Sequence, residues 1–472
     1  MSWGHKSNSK LVLKMVEIHF SNYCLEENTY YFLYIGELKN YGLNHFLKDA
    51  LSRIKDCKVD FISIVPDVLE QYNYENLMVI NPDAKDCKNK CGRNVSCRIP
   101  AHKFFTCVSE SRQVKDLIDK LLRRQNTLYL YLYESMPEMT LDAAPGVIIL
   151  GPESKIAARL NNKAYQYNHL QGRIPLPDFF ICDGMDELIH ITDTLWSKWK
   201  DGIFVTLEYS AAGANSIIAR SSKDIVAKFS EQEATYLISR YIPHEYDPTV
   251  LAVVANEKAV YIAGIADQRI ENGTRFTGST FPTTLGNDMV ARLKEQTRTV
   301  GRWLAKEGYR GIYGCDFLVD DNSQVVFLEV NARKQGTTLE FCCTLEQSLP
   351  SGSPMLPELE YYAVIHGKFP ENAKEMKKNI KNIHWGTFNY KIDKQVFTQG
   401  YIPQSSHERQ AFKKVADNNL NKHFVILEHI GNDFVVAEGS FLGRIVALGH
   451  DPSSIQQGLD QGRKIIELTI AK

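Results

Sequence analysis

Residues 314–333 read GCDFLVDDNSQVVFLEVNAR, and this stretch decides the fold that we predict for the chain. Its second half is rich in β-branched and aromatic residues, and its first half mirrors that pattern across four polar residues. Such a pattern is typical of a β-hairpin. A turn centred between Asn322 and Ser323 would place Asp316 directly opposite Glu329, where like charges repel each other unless a cation lies between them.

Further polar side chains belong to the same face of this hairpin. Side chains alternate along a strand, so Glu329, Asn331 and Arg333 share one face. The other face then carries Leu328, Val330 and Ala332. Two carboxylates and an amide oxygen are ligands that suit Mg²⁺, and Arg333 adds a permanent positive charge for a phosphate or a carboxylate. The alternative is an exposed hairpin with ordinary polar residues, because short motifs also match by accident.

Length and composition indicate a soluble protein of several domains. The 472 residues suggest three or four domains, at about 150 residues each. The hydrophobic content of 44% and the charged content of 24% are ordinary for globular proteins, and the net charge of −1 argues against a nucleic-acid partner. No apolar run reaches the roughly 18 residues of a membrane span, and residues 1–10 lack the apolar core of a signal peptide. We therefore expect a cytoplasmic protein with no membrane partner.

The order of strand-like and helical patterns predicts an α/β organisation. Residues 1–150 alternate between the two patterns, which indicates a small α/β domain with a largely parallel sheet. Residues 288–306 repeat apolar positions at helical spacing and predict a long helix. Residues 424–428 and 434–437 flank a Gly-Asn-Asp sequence, and this pattern predicts a second hairpin.

The hairpin at 314–333 resembles the metal-binding hairpin of the ATP-grasp superfamily. In that family an Asp on one strand precedes Glu-x-Asn on the next, often followed by x-Arg, and the chain has the same order and spacing. Residues 151–155 (GPESK), 162–163 (NK) and 172–177 (GRIPLP) are similar to the opening segment of the family's nucleotide-binding region. Residues 241–245 (YIPHE) are similar to its hinge between lobes.

The resemblance implies an α/β fold with α+β nucleotide lobes, divided into four parts. They are an N-terminal pre-ATP-grasp α/β domain (1–150), a first nucleotide lobe (151–235), a second lobe with the metal hairpin (236–350) and a small C-terminal α/β lobe (351–472). The last part resembles the C-terminal lobe of biotin-carboxylase-like enzymes. This fold implies ATP and Mg²⁺ as cofactors, with Mn²⁺ as a substitute.

The resemblance also implies a set of nucleotide contacts, although each of these side chains could instead be an ordinary solvated residue. Lys163 is the first candidate for a phosphate contact and Lys155 the second. The remaining candidates are Ser210 and Gly213 in a flap over the phosphates, Arg240, Tyr241 and Ile242 at the adenine, and Glu245 or Asp247 at the ribose. Asp316, Glu329 and Asn331 are the implied metal ligands.

One position departs from the family pattern. Family members usually carry a lysine in the strand that precedes the flap, whereas this chain has Thr206 or Leu207 there. Either Lys155, Lys163 or an arginine compensates for the missing charge, or the nucleotide binds poorly.

The implied activity is that of an ATP-dependent carboxylate–amine ligase. Such an enzyme forms an acyl phosphate and then an amide, and it releases ADP and phosphate. Arg333 and Arg269 are the implied catalytic residues, and amino acids or short peptides are the implied substrates. The alternatives are a carboxylase that uses bicarbonate and a nucleotide-binding regulator without activity, the latter favoured by Thr206 and Leu207. A homodimer is the default expectation.

A group of cysteines in a lysine-rich segment admits two interpretations. Its members are Cys87, Cys91, Cys97 and Cys107, with His102 among them. Their spacings differ from the usual paired plan of zinc sites, so they are either zinc ligands of an unusual kind or unpaired thiols.

Overall fold

The computed structural model describes residues 18–210, 215–229, 233–271, 273–377, 379, 381–402 and 408–471. The predicted flap residue Gly213 and residues 1–10 lie outside these ranges. Within the part of the chain that the structure describes, no helix combines the length and the apolar composition that a membrane crossing requires.

The N-terminal part is built on a six-stranded sheet. Its elements are β1 (Phe20–Ser21), β2 (Tyr30–Ile35), α1 (Leu43–Lys55), β3 (Val59–Val65), β4 (Leu77–Val79), α2 (Pro82–Cys91), β5 (Asn94–Ser96), α3 (Ala101–Glu110), α4 (Arg112–Leu122), β6 (Leu128–Leu132) and β7 (Val147–Leu150). The strand order is β1-β4-β3-β2-β6-β7, and every pair except β1–β4 is parallel. Alternate residues of β2 enter different cores, so both faces of the sheet are covered. The prediction of a largely parallel α/β domain is confirmed.

The next part contains a four-stranded antiparallel sheet. Its elements are α5 (Ser154–Leu160), α6 (Lys163–Leu170), β8 (Phe179–Asp183), α7 (Met185–Leu195), β9 (Ile203–Leu207), β10 (Ser216–Ala219), α8 (Ser222–Lys228) and β11 (Thr235–Arg240). The strand order is β10-β9-β11-β8. This sheet has its own core, which includes Trp199 and Tyr236.

A large antiparallel sheet carries the rest of the chain. The elements of this part of the chain are β12 (His244–Tyr246), β13 (Pro248–Asn256), β14 (Ala259–Glu271), β15 (Arg275–Phe281), α9 (Asn287–Lys306), β16 (Gly311–Asp320), β17 (Val325–Asn331), α10 (Thr338–Ser348), α11 (Leu356–His366), β18 (His384–Lys391), β19 (Val396–Phe397), α12 (Glu408–Ala416), β20 (Lys422–Leu427), β21 (Phe434–Val436), β22 (Phe441–Gly449) and α13 (Pro452–Glu467). β19 and β21 form a separate three-stranded sheet with β5, whereas the other strands form the large sheet. The order is β12-β16-β13-β14-β15-β18-β22-β20, with β17 on β16. The sheet therefore continues past the predicted boundary at residue 350, and the boundaries themselves stay predictions. The helix predicted at 288–306 is confirmed as α9.

The second predicted hairpin is wrong. β20 pairs with β22, whereas β21 pairs with β19 and, in parallel, with β5 of the N-terminal part. The chain between β20 and β21 includes Glu428 and Gly431 with φ values of 57° and 106°. These left-handed residues redirect the chain between β20 and β21.

Candidate active site

The predicted hairpin at 314–333 is present as β16 and β17. Asp316 lies opposite Glu329, and Gly314 lies opposite Asn331. Nearer the turn the register changes, because Phe317 pairs with Phe327 and leaves Leu328 as an extra residue. The predicted pairing of the two acids is thus confirmed, but it depends on a β-bulge that the sequence pattern does not reveal.

The polar face of β17 joins the two acids in one cluster. Asn331 Nδ2 donates to Asp316 Oδ2 at 2.9 Å and lies 3.5 Å from Glu329 Oε1. Arg333 Nη2 donates to Asn331 Oδ1 at 2.9 Å. The alternating face packs inward instead, since Val330 and Ala332 belong to a buried core.

Two glutamines that the sequence interpretation missed also contact Asp316. Its Oδ1 accepts hydrogen bonds from Gln268 Nε2 at 2.7 Å and from Gln335 Nε2 at 3.3 Å. Gly314 leaves the space for the second contact, because a Cβ there would lie 2.0 Å from Gln335 Cδ. Gln335 could have been predicted as a site residue from its position two residues after Arg333. Gln268 could not, because it is brought to Asp316 by the pairing of strands that are distant in sequence.

Lys163 reaches the cluster from the opposite side. It is the first residue of α6, whose N-cap Asn162 accepts from the backbone N–H of Tyr165. The backbone N–H of Lys163 donates to the carbonyl oxygen of Glu208 at 2.9 Å, and its ammonium group forms an ion pair with Glu329. Burial lowers the pKa of Lys163 to about 8, and the nearby charge of Asp316 opposes that effect.

The strand that carries Glu329 and Asn331 is fixed along its free edge by side chains of α6 and the residues before it. Gln166 accepts from the backbone N–H of Val330 at 2.9 Å and donates to its carbonyl oxygen at 2.8 Å. Asn161 Oδ1 accepts from the backbone N–H of Ala332 at 2.8 Å. These contacts hold the cluster in one position relative to Lys163.

The cluster has the donor set of a Mg²⁺ site. Asp316, Glu329 and Asn331 offer two carboxylates and an amide, and burial raises the pKa of Asp316 despite its hydrogen bonds. The repulsion between the two neighbouring carboxylates is offset here by the amide N–H group of Asn331 and by the ammonium group of Lys163. A half-turn of the amide would present Oδ1 to a cation in place of Nδ2. The residues therefore fit the metal that the fold implies.

Comparisons with known proteins relate the middle of the chain to one protein family. Residues 160–337 match the family model described as an ATP-grasp domain. The match covers less than half of the chain, and it shows that this part of the chain is similar to an ATP-grasp domain. A curated relative, the [butirosin acyl-carrier protein]–L-glutamate ligase of Niallia circulans, is 21% identical over 211 residues, which are 43% of this chain. The chain spans about half the length of this relative, since the match covers 50% of it.

Solved structures of two other enzymes have the same fold. A biotin carboxylase from Campylobacter jejuni superposes with a TM-score of 0.57 at 13% identity, over 97% of this chain and 92% of that one. An N5-carboxyaminoimidazole synthase from Aspergillus clavatus superposes with a TM-score of 0.55 at 11% identity, over 93% and 99%. At such identities the likeness shows the fold alone, and the ATP-grasp α/β fold predicted from the sequence is confirmed.

Thr206, one of the two residues predicted to stand where family members carry the strand lysine, has a buried hydroxyl group. Thr206 is fully buried at the end of β9, and its Oγ1 lies 2.9 Å from Ser210 Oγ and 2.8 Å from Ser216 Oγ. The hydroxyl group of Thr206 thus contacts Ser210 and Ser216, which lie at the two ends of the predicted flap. The phosphate contact predicted for Ser210 stays a prediction, and in the structure its hydroxyl group contacts Thr206. Gly213, the other predicted flap residue, lies outside the described residues.

The segment that is predicted to form the hinge between the lobes follows β11. The backbone N–H groups of Arg240 and Tyr241 donate to the carbonyl oxygens of Asp178 and Gly202, and Ile242 O lies 2.6 Å from His244 Nδ1. These backbone groups are therefore already bonded within the protein. The adenine contacts of Arg240, Tyr241 and Ile242 stay predictions.

The two candidates for the ribose hydroxyls differ in their surroundings. Glu245 is exposed, whereas Asp247 Oδ1 lies 2.9 Å from His244 Nε2. Burial disfavours a charged His244, but the hydrogen bond and the charge of Asp247 outweigh this effect and raise the pKa of the imidazole. Glu245 is thus the freer of the two carboxylates.

The structure does not bring Arg269 or Lys155 to the cluster. Neighbouring side chains of a strand point to opposite faces, and Arg269 Nη2 donates to Gln456 Oε1 of α13 at 2.7 Å while Gln268 faces Asp316. Lys155 is exposed in the first turn of α5. Lys163 is therefore the lysine that the fold presents to the hairpin.

The zinc interpretation of the cysteine group gains no support. Among the described residues, no group of three or more His, Cys, Asp or Glu side chains is placed to hold a metal ion. Cys91 is exposed, and its Sγ lies 3.6 Å from the carbonyl oxygen of Arg93.

Proposed function

We propose that the chain is an ATP-dependent ligase that joins a carboxylate to an amine through an acyl phosphate. The observation that carries the proposal is the convergence of Lys163 with Asp316, Glu329, Asn331 and Arg333 in one partly buried cluster. Phosphoryl transfer needs positioning and neutralisation of charge more than covalent chemistry, and this cluster supplies both. The name of the relative, an L-glutamate ligase, supports the same reaction class.

Each residue of the cluster has a role in the proposed reaction. Mg²⁺ on Asp316, Glu329 and Asn331, or Mn²⁺ in its place, would neutralise phosphate charge. A carboxylate oxygen of the substrate attacks the γ-phosphorus, the bond to the β-phosphate oxygen breaks, and ADP leaves. The amine then attacks the acyl carbon, loses a proton and expels phosphate.

Arg333 is suited to hold the substrate carboxylate in the first step. In the second step it would stabilise the oxyanion that forms when the amine adds to the acyl carbon. Its own position is fixed from two sides, since Nε lies 3.6 Å from Glu134 Oε1 and Nη2 donates to Asn331. Lys163 would meet the phosphates from the opposite side.

We propose amino acids or short peptides as the substrates and the cytoplasm as the location. All ten cysteines lie in the described residues and none forms a disulfide, as in proteins of reducing compartments. The homodimer stays a prediction.

A nucleotide-binding regulator is the second candidate, and Thr206 favours it. The hydroxyl group carries no charge at a position where the family usually has a lysine, and it is engaged by Ser210 and Ser216. A carboxylase that uses bicarbonate is the third.

Trapping of the acyl phosphate with hydroxylamine separates these activities. A ligase forms hydroxamate and releases phosphate with a suitable amino acid and Mg-ATP, a carboxylase depends on bicarbonate, and a regulator binds ATP without turnover. We expect Arg333→Ala to keep ATP binding and to lower hydroxamate formation by about 100-fold or more, the loss seen for a single oxyanion donor. Full activity of this variant would remove Arg333 from the mechanism.

A further inference from the structure

A second group of charged side chains lies between the N-terminal part and the last part of the chain, and we call it the acidic cluster. Its acids are Glu37, Asp67, Glu340, Glu408 and Glu428, and its bases are Lys39, Arg98 and Arg444. Glu37 follows β2 and Asp67 follows β3, so both lie at the carboxyl ends of parallel strands. Ligands of open α/β sheets bind at such edges.

The acidic cluster adjoins the candidate active site. Arg444 Nη2 donates at 2.9 Å to the carbonyl oxygen of Gly336, three positions after Arg333, and it forms an ion pair with Glu340. On the other side, Lys39 Nζ lies 4.8 Å from the ring centroid of Tyr133, which precedes the Glu134 partner of Arg333. A molecule held in the acidic cluster would therefore lie near Arg333.

The bases of the cluster leave three acids without an ion pair among the described residues. Glu37 pairs with Lys39 and Arg98, and Glu340 pairs with Arg444. The remaining acids are Asp67, Glu408 and Glu428. Asp67 Oδ2 accepts one backbone hydrogen bond, from Leu38 at 2.9 Å. Asp67 and Glu428 are partly buried rather than fully enclosed.

Glu408 supplies an independent sign of a missing partner. Its side chain is 4% exposed, and neither carboxyl oxygen has a hydrogen-bond partner among the residues that the structure describes. It faces Glu340, Arg444 and Glu428 at the start of α12. Buried carboxyl groups without partners are costly, and burial accordingly raises the pKa of Glu428 to about 8 and that of Glu408 well above its usual range.

We propose that the acidic cluster, through Asp67, Glu408 and Glu428, binds the ammonium group of a small substrate that carries a primary amine. An ammonium group has three N–H donors and a single positive charge, which match several carboxylates on separate elements. A bound metal ion fits less well, because metal–oxygen contacts of about 2.0–2.6 Å are shorter than charged N–H···O hydrogen bonds of about 2.7–2.9 Å, and among the described residues no group of three or more His, Cys, Asp or Glu side chains is placed to hold a metal ion. The proposal rests on the proposed function in taking the ammonium compound to be a substrate.

Calorimetry on the full chain without ATP tests the binding of an ammonium group directly. The probes are 1,4-diaminobutane, 4-amino-1-butanol and 1,4-butanediol, which share a length but carry two, one and no ammonium groups. We expect both amines to bind and the diol not to bind. Equal binding of the diol and the amines, or no binding of either amine, would overturn the proposal.

Charge-removing variants locate the subsite. Glu428→Gln and Glu408→Gln should each weaken binding of 1,4-diaminobutane by about tenfold or more, the effect of losing one charged hydrogen bond. Asp186→Asn removes an exposed charge from α7 and should leave binding unchanged. If Glu408→Gln does not fold, the partly exposed Glu428 decides the outcome, and wild-type affinity in Glu428→Gln contradicts the proposal.

A turnover experiment assigns the ammonium group to one of the two substrates. Hydroxamate formation is compared between α-amino acids and their deaminated carboxylates. A preference for the amino acids that is lost in Glu428→Gln assigns the group to the carboxylate substrate. No such preference, together with a raised KM for the attacking amine in Glu428→Gln, assigns it to that amine. Amine binding without any turnover refutes the ligase but keeps the subsite, whereas turnover without amine selectivity refutes the subsite alone.

Discussion

Lys163 and Glu329 form an ion pair that joins the first turn of α6 to β17. The sequence resemblance assigns them separate tasks, a phosphate contact and a metal ligand. In the structure the two charges neutralise each other. When a nucleotide binds with its metal ion, Lys163 would contact a phosphate and Glu329 would contact the metal ion, so that two interactions replace the one ion pair. The charge of Lys163 is therefore already placed where phosphate oxygens and Glu329 can both use it.

Replacement of Lys163 by alanine should weaken ATP binding by about tenfold or more, because one charged hydrogen bond to phosphate is lost. Calorimetric titration with ATP and Mg²⁺ measures this change. Lys155→Ala is the matched control, since Lys155 is exposed on the preceding helix and should keep wild-type affinity. A larger loss in Lys155→Ala than in Lys163→Ala would reverse the assignment of the phosphate lysine.

Glu329→Gln should abolish the part of ATP affinity that depends on Mg²⁺, because the amide keeps the volume of the side chain but removes a charged metal ligand. The measurement is the ratio of ATP affinities with and without Mg²⁺. Asp321→Asn changes an exposed acid in the turn of the same hairpin and should keep the wild-type ratio. If Glu329→Gln also keeps the wild-type ratio of ATP affinities with and without Mg²⁺, the hairpin is not the metal site.

The hairpin could be predicted because its information is local: alternating side chains and a polar turn lie within 20 residues. The bulge at Leu328 could not be predicted, although without it Asp316 would face Leu328 instead of Glu329. Contacts such as Gln268 with Asp316 depend on the pairing of β13, β14 and β16, which local patterns do not encode. The same limit explains the wrong hairpin at 424–437, where a correct turn pattern joins strands that pair elsewhere.

The buried ion pair of Lys334 and Glu360 should be important for stability. Their nitrogen and oxygen lie 2.6 Å apart, both side chains are at most 2% exposed, and Lys334 Nζ also donates to the carbonyl oxygen of Leu132 at 2.7 Å. Lys334→Met leaves the carboxylate of Glu360 buried without its partner, which typically costs about 3–5 kcal/mol. Urea denaturation measures the loss.

The double variant Lys334→Met with Glu360→Gln is the control for this pair. It removes both charges, so we expect it to recover a substantial part of the loss caused by Lys334→Met. Additive losses from the two substitutions would show that the pair contributes no coupling energy. Because Lys334 follows Arg333 directly, the single variant should also lower turnover more than ATP affinity.

Stability should fall with rising pH because of Glu428. Burial raises the pKa of its carboxyl group from 4.5 to about 8, so the folded state holds the proton more tightly than the unfolded state. The contribution is complete below the unfolded pKa and is lost as the pH rises through the folded value. The ionisable groups that face Glu428 are Tyr34, Glu37, Lys39, Asp67, Tyr74, Glu408 and Arg444.

Glu428→Gln should flatten this dependence, because an amide cannot release the proton. The free energy of unfolding of wild type and variant is compared at several values between about pH 5 and pH 9. The variant should lose less stability over this range than the wild type, while Asp186→Asn should keep the wild-type slope. Parallel curves for Glu428→Gln and wild type would show that Glu428 ionises normally in the folded protein, and the carboxyl group would then not require a cationic partner.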